Sequence, residues 1–389
     1  MKKTKDAFNN SKIKVPFVSP DITREDKAAI NKALRSSLLT DGPTLQKFEQ
    51  AFSKYTGSKY AIGVSNATSA LELSLVALNI KQGDEVIVPD MTFVATASAV
   101  LHCSATPVLA DVEEETMNIS TESIKRNLSS KTKAIIPVHF AGQICNIKEI
   151  KKIASANNLF VIEDCAHALG TKLDSKHVGT FGDTGCFSFY PTKNFTTIEG
   201  GMIITNSKKI SDYVHRARNH GIIKSLQERF IKGKPWDYDV HDAGFNYRLD
   251  EIRSALGLTQ MKRLDKMNLM RKNASKYYDS QLRNIQGIVT PSLSHDKENS
   301  FHLYVIKIKP EYGISRDRLF EKLTESGIRT SVHYKPLQMF SIFRKKAKWY
   351  EKPKTSRKLY EEIISLPMFS SITQKEQDLV INCIKNNQK

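Results

Sequence analysis

No run of about 18 apolar residues occurs in the 389-residue sequence, so none of it is suited to cross a bilayer as a helix. The start, "MKKTKDAFNN", has the positive charges of a signal peptide but no apolar stretch behind them, and the expectation is a cytoplasmic protein. Cysteine is scarce and unpatterned. Cys103, Cys145, Cys165, Cys186 and Cys383 show neither CxxC spacing nor a paired-histidine pattern, which excludes a recognisable zinc site or disulfide framework and leaves reduced thiols, several in the core. Internal repeats and low-complexity linkers are missing too. Acidic residues are outnumbered, 41 against 59 basic, giving a net charge of +18. That excess fits a nucleic-acid binder, an enzyme whose ligands carry phosphates, or a lysine-rich solvated surface. Basic residues are scattered, from "KKTK" through "FIKGKPWDY" to "FRKKAKWYEKPK", whereas nucleic-acid modules concentrate charge on one face. With no zinc-finger spacing and no RNA-binding aromatic signature, neither nucleic acid nor membrane is an expected partner.

What is present is a chain that is 40% hydrophobic and 26% charged, enough for one large core and a smaller second one. Strand-like apolar runs alternate with helical patterns over the first 260 or so residues, which predicts an α/β domain with a largely parallel sheet. "TREDKAAINKALRSS" carries Thr23 and Asp26 at capping-box spacing. "KYAIGVS" leads into the helical "NATSALELSLVALNI", with Asn66 as N-cap and Gly83 shortly after its end. "DEVIVP", "TPVLADV", "KAIIPVHF" and "LFVIED" read as strands covered by helices on both faces, and "TFVATASAVLHC" as a helix. "GCFSFY" and "GGMIITN" predict two more strands with a loop between them. From "LDEIRSALGLTQM" to "SKYYDSQL" runs one long helix or two. The tail, with "FHLYVIKI", a helix over 315–326 closed by Gly327, and then "IRTSVHY", has a βαβ-like order that suggests a small α+β domain. The expected division is 1–262 and 263–389.

The chemistry centres on "VIEDCAHALG" and "FSFYPTKNFTTIEGG". The first delivers Glu163 and Asp164 at the carboxyl end of a strand, where open α/β sheets bind ligands; a helix cap or turn would equally use such an aspartate. The second sets Lys193 among Phe187, Phe189, Tyr190 and Phe195. A lysine attacking a carbonyl must be neutral part of the time, and apolar burial favours that; most lysines are solvated charges. Gly200-Gly201 permits a tight turn or a close approach to a ligand. Together these residues suggest pyridoxal phosphate, which needs a Schiff-base lysine, an acid for its pyridine nitrogen and a phosphate cup. "SNATSAL" offers the cup through Thr68 and Ser69 at a helix N-terminus, with plain capping as the other use of that segment. Ser188 can add a hydroxyl, and Phe93 is placed either to stack on the ring or to sit in the core.

From "LTDGPTLQKFEQAFSKYTGSKYAIGVSNATSAL" through "IPVHFAG", "IEDCAHALG", "FSFYPTKNFTTIEGG" and "RNHGI" to "GFNYRLDEIRSALGLTQM" and "VHYKPL", the chain resembles the DegT/DnrJ/EryC1/StrS family of sugar aminotransferases. The resemblance implies fold type I, the aspartate-aminotransferase-like fold, with a mostly parallel seven-stranded sheet and a small C-terminal α+β domain. It implies that Lys193 bonds the cofactor, Asp164 holds its pyridine nitrogen, His167 lies near its ring hydroxyl, Phe93 covers a face, and Thr68, Ser69 and Ser188 hold the phosphate. Asn246 would reach the phosphate from the neighbouring subunit of a homodimer, and His333 and Tyr334 would lie on the sugar side. Lysine at 193, where some related proteins carry histidine and act as sugar dehydratases, implies transamination. Two residues depart from the pattern. His167 stands where many members have glutamine, and Gln338 where many have histidine, so Gln338 is not carried over as a substrate contact. The resemblance leans toward amination of C4 of a UDP-4-keto-6-deoxy-N-acetylhexosamine by L-glutamate, with a GDP-4-keto-6-deoxymannose aminotransferase making perosamine close behind. A non-catalytic regulator on the same fold, binding nucleic acid through its basic surface, is the rival from another class; it would have no use for an intact Asp164 and Lys193 pair.

Overall fold

A computed structural model describes residues 13–223, 236–292 and 299–388; "KKTK" and most of "FIKGKPWDY" lie outside the described residues. Two helices open the chain, α1 (Arg24–Ala33) and α2 (Pro43–Thr56). The Thr23 side chain accepts from Asp26 N–H while the Asp26 carboxylate accepts from Thr23 N–H, the reciprocal cap predicted by their spacing. Alternating elements follow: β1 (Tyr60–Val64), α3 (Ala67–Ala77), β2 (Glu85–Pro89), α4 (Ala95–His102), β3 (Thr106–Ala110), α5 (Thr121–Arg126), β4 (Thr132–Ile135), α6 (Ile147–Ala156) and β5 (Phe160–Asp164). A small hairpin, β6 (Lys172–Leu173) and β7 (Lys176–His177), precedes β8 (Thr184–Ser188) and β9 (Gly201–Thr205), and α7 (Lys208–Ala217) closes this half.

Seven strands form one sheet in the order β1-β9-β8-β5-β4-β2-β3. β9 pairs antiparallel with both β8 and β1, while the other neighbours pair in parallel, so β9 alone runs against the rest. The strands are mostly apolar because both faces are covered, with polar residues concentrated toward their ends. α3 is buried from Ser69 to Leu75, as a helix between sheet and neighbouring helices must be, and Asn66 caps it as predicted. α6 instead buries one stripe, Ile147, Ile150, Ile153 and Ala154, beneath β4 and β5. The carboxyl ends of β1, β2, β5 and β8 therefore open on a common edge, and the connections leaving them carry the site.

The "LDEIRSALGLTQM" to "SKYYDSQL" stretch is two helices, α8 (Glu251–Met261) and α9 (Leu264–Leu282). Beyond them a three-stranded antiparallel sheet, β10 (Ile288–Val289), β11 (Tyr304–Ile308) and β12 (Ile363–Leu366), packs with α10 (Arg316–Glu325) and α13 (Gln374–Asn386). Between them lie α11 (Ser341–Lys346) and α12 (Thr355–Glu362). The βαβ-like reading of the tail is corrected here. "IRTSVHY" forms no regular strand: Ile328 makes one bridge to Val15 and Ser331 another to Ser365, and the third strand is β12. Alternation in a sequence reports two faces, but a ladder also needs a free edge, which this segment meets at single residues only. Each core also borrows from elsewhere in the chain. Val15 is buried with residues of the second core, and Leu337 and Phe343 are buried in the core of the large sheet.

Candidate active site

β5 ends in two carboxylates whose strand alternation sends them to opposite sides. Glu163 turns into the interior. There it accepts His139 Nε2 at 3.0 Å and the backbone N–H groups of Gly179, Phe181 and Gly182 at 2.9, 2.8 and 2.6 Å. Burial opposes the charge on each side chain of this pair. The neighbouring Cys145 and Glu163 nevertheless pull His139 well above its ordinary value, while His139 and the backbone donors hold Glu163 low, and Cys145 N–H on His139 Nδ1 at 3.2 Å leaves the Nε2 proton to donate to Glu163. His139, Glu163 and Cys165 bring three potential metal ligands within 4.8 Å of one another. Glu163 is already saturated by four donors, which makes the cluster a support beneath the site rather than a metal centre.

Asp164 faces a cavity of about 560 Å3. Its carboxylate accepts the Thr96 hydroxyl at 2.9 Å and Ala166 N–H at 3.1 Å, and Thr92 Oγ lies 3.0 Å from Thr96 Oγ. Burial raises its pKa, partly offset by these donors and by the positive charge of Lys193. Lys193 lines the same cavity from the loop between β8 and β9, on a turn in which its N–H donates to Tyr190 O at 2.9 Å. Although the residue as a whole is only partly buried, burial around its amine lowers the pKa to about 8 against the upward pull of Asp164. Of the four aromatic residues flanking it in sequence, only Tyr190 lines the cavity. Phe187, Phe189 and Phe195 belong to the core beneath, with Phe189 and Phe195 stacked at 4.8 Å.

Thr68 and Ser188 also line the cavity, together with Asn66 and Ala67 at the start of α3. Ser69 does not. Its hydroxyl lies 2.8 Å from Asn66 Oδ1 and 2.7 Å from Ser65 Oγ, and its N–H donates to Asn66 Oδ1, because the cap that starts α3 draws it inward. Gly201 makes the close approach foreseen for the glycine pair, but toward backbone: a Cβ there would stand 2.5 Å from Asn66 C and 2.6 Å from its oxygen. Only glycine lets β9 pass this near the start of α3. Phe93 is 56% exposed at the cavity wall, an apolar ring left uncovered where a planar ligand can lie against it.

His167, His333 and Tyr334 complete the lining. Burial, reinforced by Lys193, keeps His167 well below its ordinary value and His333 at about 4, so both rings are neutral. His167 Nδ1 accepts from Ala141 N–H at 3.4 Å, which places the proton on Nε2, 2.9 Å from Tyr334 Oη. Tyr334 then accepts from His167 and keeps its own O–H to donate. Behind His167 stands His302, at a ring separation of 4.5 Å and hydrogen-bonded to Asn194 beside the lysine. Neither His302 nor Thr96 stood out in the sequence. One of the two threonines in "TFVAT" and a lone histidine in "FHLYVIKI" carry no signal until the fold places them at the site. Asn246 makes a bridge with Asn219 and lies outside this lining. Gln338 is also outside it, buried against Asp90.

The donor set fits pyridoxal phosphate: an amine that releases its proton near neutrality, a carboxylate held from two sides, and a helix N-terminus with two hydroxyl side chains, all on one cavity. Comparison with known proteins agrees. The model of the DegT/DnrJ/EryC1/StrS aminotransferase family matches residues 20–385. The chain is 35% identical over 375 residues to the spore coat polysaccharide biosynthesis protein SpsC of Bacillus subtilis, covering 96% of each. It is 39% identical over 374 residues to an uncharacterized protein of Methanocaldococcus jannaschii, covering 95% of this chain and 97% of that one. Among solved structures it resembles Helicobacter pylori PseC, an aminotransferase of pseudoaminic acid biosynthesis, with TM-score 0.88 and 29% identity over 96% of this chain and 99% of that one. It also resembles Spr1654 of Streptococcus pneumoniae, provisionally designated a sugar aminotransferase. The PMP form of that protein superposes with TM-score 0.88 at 30% identity, over 96% of this chain and 98% of that one. Its PLP form gives 0.87 at 29%, with the same coverage. The protein belongs to the DegT/DnrJ/EryC1/StrS aminotransferase family and is a pyridoxal-phosphate-dependent aminotransferase of fold type I.

Proposed function

We propose that the protein transfers the amino group of L-glutamate to C4 of a UDP-linked 4-keto-6-deoxy-N-acetylhexosamine, for surface polysaccharide or glycan assembly. The observation that carries the reading is the pairing of Lys193 with Asp164 across one cavity whose other walls offer neutral hydrogen-bonding groups, His167, Tyr334 and His333. SpsC, by its name a polysaccharide biosynthesis protein, and PseC, which acts in the biosynthesis of an amino sugar, support the sugar acceptor.

When bound, pyridoxal phosphate supplies an electron sink that stabilises the electron pair left as a proton departs from the carbon bearing nitrogen. Asp164, held by Thr96 and Ala166, would hold the pyridine nitrogen with its proton. Thr68, Ser188 and the first N–H groups of α3 would hold the phosphate, and Phe93 would cover the ring. Lys193, whose amine pKa burial lowers to about 8, would hold the cofactor through that amine and would move a proton to and from the substrate carbon that bears nitrogen. Tyr334, oriented by His167, would have its O–H available to donate to a ligand in the cavity. Asn246 of a second subunit would complete the phosphate site in a homodimer. The test is a panel of UDP-, GDP- and dTDP-linked keto-deoxysugars offered with L-glutamate, products being identified by mass and NMR. The reading expects a 4-amino sugar from the UDP-linked N-acetylhexosamine. Turnover of GDP-4-keto-6-deoxymannose in its place would reassign the acceptor, and no turnover of any member would reject the reading.

A further inference from the structure

Between Phe343 and Lys358 the chain carries eight basic residues against the single acid Glu351, a concentration the transamination site does not use. The fold fixes this segment firmly. Phe343 is buried in the large core, and Lys348 extends the edge of the sheet, its N–H donating to Pro107 O at 2.9 Å and its carbonyl accepting from Leu109 N–H at 2.8 Å. Asp90, just past β2, accepts from Gln338 N–H at 2.8 Å, Gln338 Nε2 at 2.7 Å and Ser356 Oγ at 2.6 Å, tying both ends of the segment to the sheet.

On this frame Arg344, Lys352 and Arg357 converge with Trp349 on a cavity of about 290 Å3 floored by Gln338 and Met339. Three other cations of the region are paired, Lys348 with Glu85, Lys358 with Glu114 and Arg126 with Glu351, while Lys345, Lys346 and Lys354 lie outside the cavity lining. Arg344, Lys352 and Arg357 have no ion pair among the described residues, and no acidic side chain lines the cavity. Three like charges turned to one hollow repel one another until an anion enters. Two of them are guanidinium forks, whose planar donors match phosphate oxygens. Trp349 is half-buried, packed on the large core and lining the cavity, a fixed aromatic platform beside those charges. We propose that this pocket binds a nucleoside diphosphate, its phosphates held by Arg344, Lys352 and Arg357 and its base against Trp349.

Gln338 on this pocket is four residues from Tyr334 on the catalytic cavity, a span of at most about 14 Å along the chain. The occupant is therefore either the nucleotide end of the acceptor or a free nucleotide. Binding itself does not depend on the proposed reaction; only the first of these sources does.

Titration of the holoenzyme with UDP, GDP, pyrophosphate and uridine, followed by calorimetry and by the fluorescence of its two tryptophans, tests the proposal. Expected are binding of UDP or GDP at least tenfold tighter than uridine, and loss of the fluorescence response in Trp349→Phe. Binding should weaken at least tenfold in an Arg344→Ala, Lys352→Ala double variant and persist in Lys193→Ala. Lys345→Ala, outside the pocket, should bind as wild type does. A raised KM for the acceptor sugar in the double variant supports binding with the acceptor's nucleotide as the source; an unchanged KM with the binding defect intact supports a free nucleotide. Absence of nucleotide binding, or binding equal in wild type and the double variant, overturns the proposal.

Discussion

Lys193 and Asp164 meet in a buried setting where each charge is costly: burial lowers the lysine's pKa to about 8 and raises that of Asp164, a rise that Thr96 and Ala166 partly offset. A lysine whose folded pKa lies below the unfolded value of about 10.5 opposes folding whenever it is protonated. The penalty is full below pH 8, shrinks as pH rises from 8 and is gone above about 10.5. In the cofactor-free protein Lys193→Met should therefore raise unfolding stability at pH 7 by about 1–3 kcal/mol, with the gain fading at high pH in denaturant titrations. Activity is lost with it. Thr96 acts through Asp164. Thr96→Val removes one donor to a charged acceptor, an interaction of about 1.5–3 kcal/mol, and should lower kcat about tenfold or more with little change in KM for glutamate. The cofactor absorption should shift in the same variant and recover in Thr96→Ser, a pattern that a packing defect alone would not produce.

At the scale of elements, the site is built by strand ends and one helix start. β9 can lie against α3 only because residue 201 lacks a side chain, so Gly201→Ala must displace the turn that presents Ala67 and Thr68. Weakened cofactor binding by about tenfold or more is expected in spectroscopic titrations, since a helix N-terminus acts only at short range. Much of this level was legible in the sequence. The Thr23 and Asn66 caps, the apolar strands and the loop carrying Lys193 follow from local signals that the folded chain obeys. Ser69 was not legible, because cap and phosphate cup use the same residue types and only geometry shows which oxygen is spent on the cap. "IRTSVHY" was misread for a related reason: alternation cannot reveal that partner edges meet it at single residues. The flanking phenylalanines were right in kind and wrong in direction, forming the floor under the loop rather than the wall around the amine.

At the scale of the molecule, residues from β5, the loop before β9, and the segment after α10 share one cavity although they lie up to 170 positions apart, from Asp164 to Tyr334. Only family resemblance could connect them before the fold did. The proposed homodimer adds a residue from outside the chain, and subunit mixing exposes it. Lys193→Ala and Asn246→Ala homodimers should both be poorly active. Unfolding and refolding them together should restore about a quarter of wild-type activity, because half the dimers are mixed and each mixed dimer holds one intact site. No recovery would mean that Asn246 serves its own subunit. The central claim is that Lys193 mediates passage of glutamate nitrogen to a keto sugar. It is tested most directly by supplying L-glutamate labelled with nitrogen-15 and following the label by mass spectrometry. The account predicts the label in the amine of the sugar product with wild-type enzyme and none with Lys193→Ala; an unlabelled amino sugar, or equal labelling by both proteins, would contradict it.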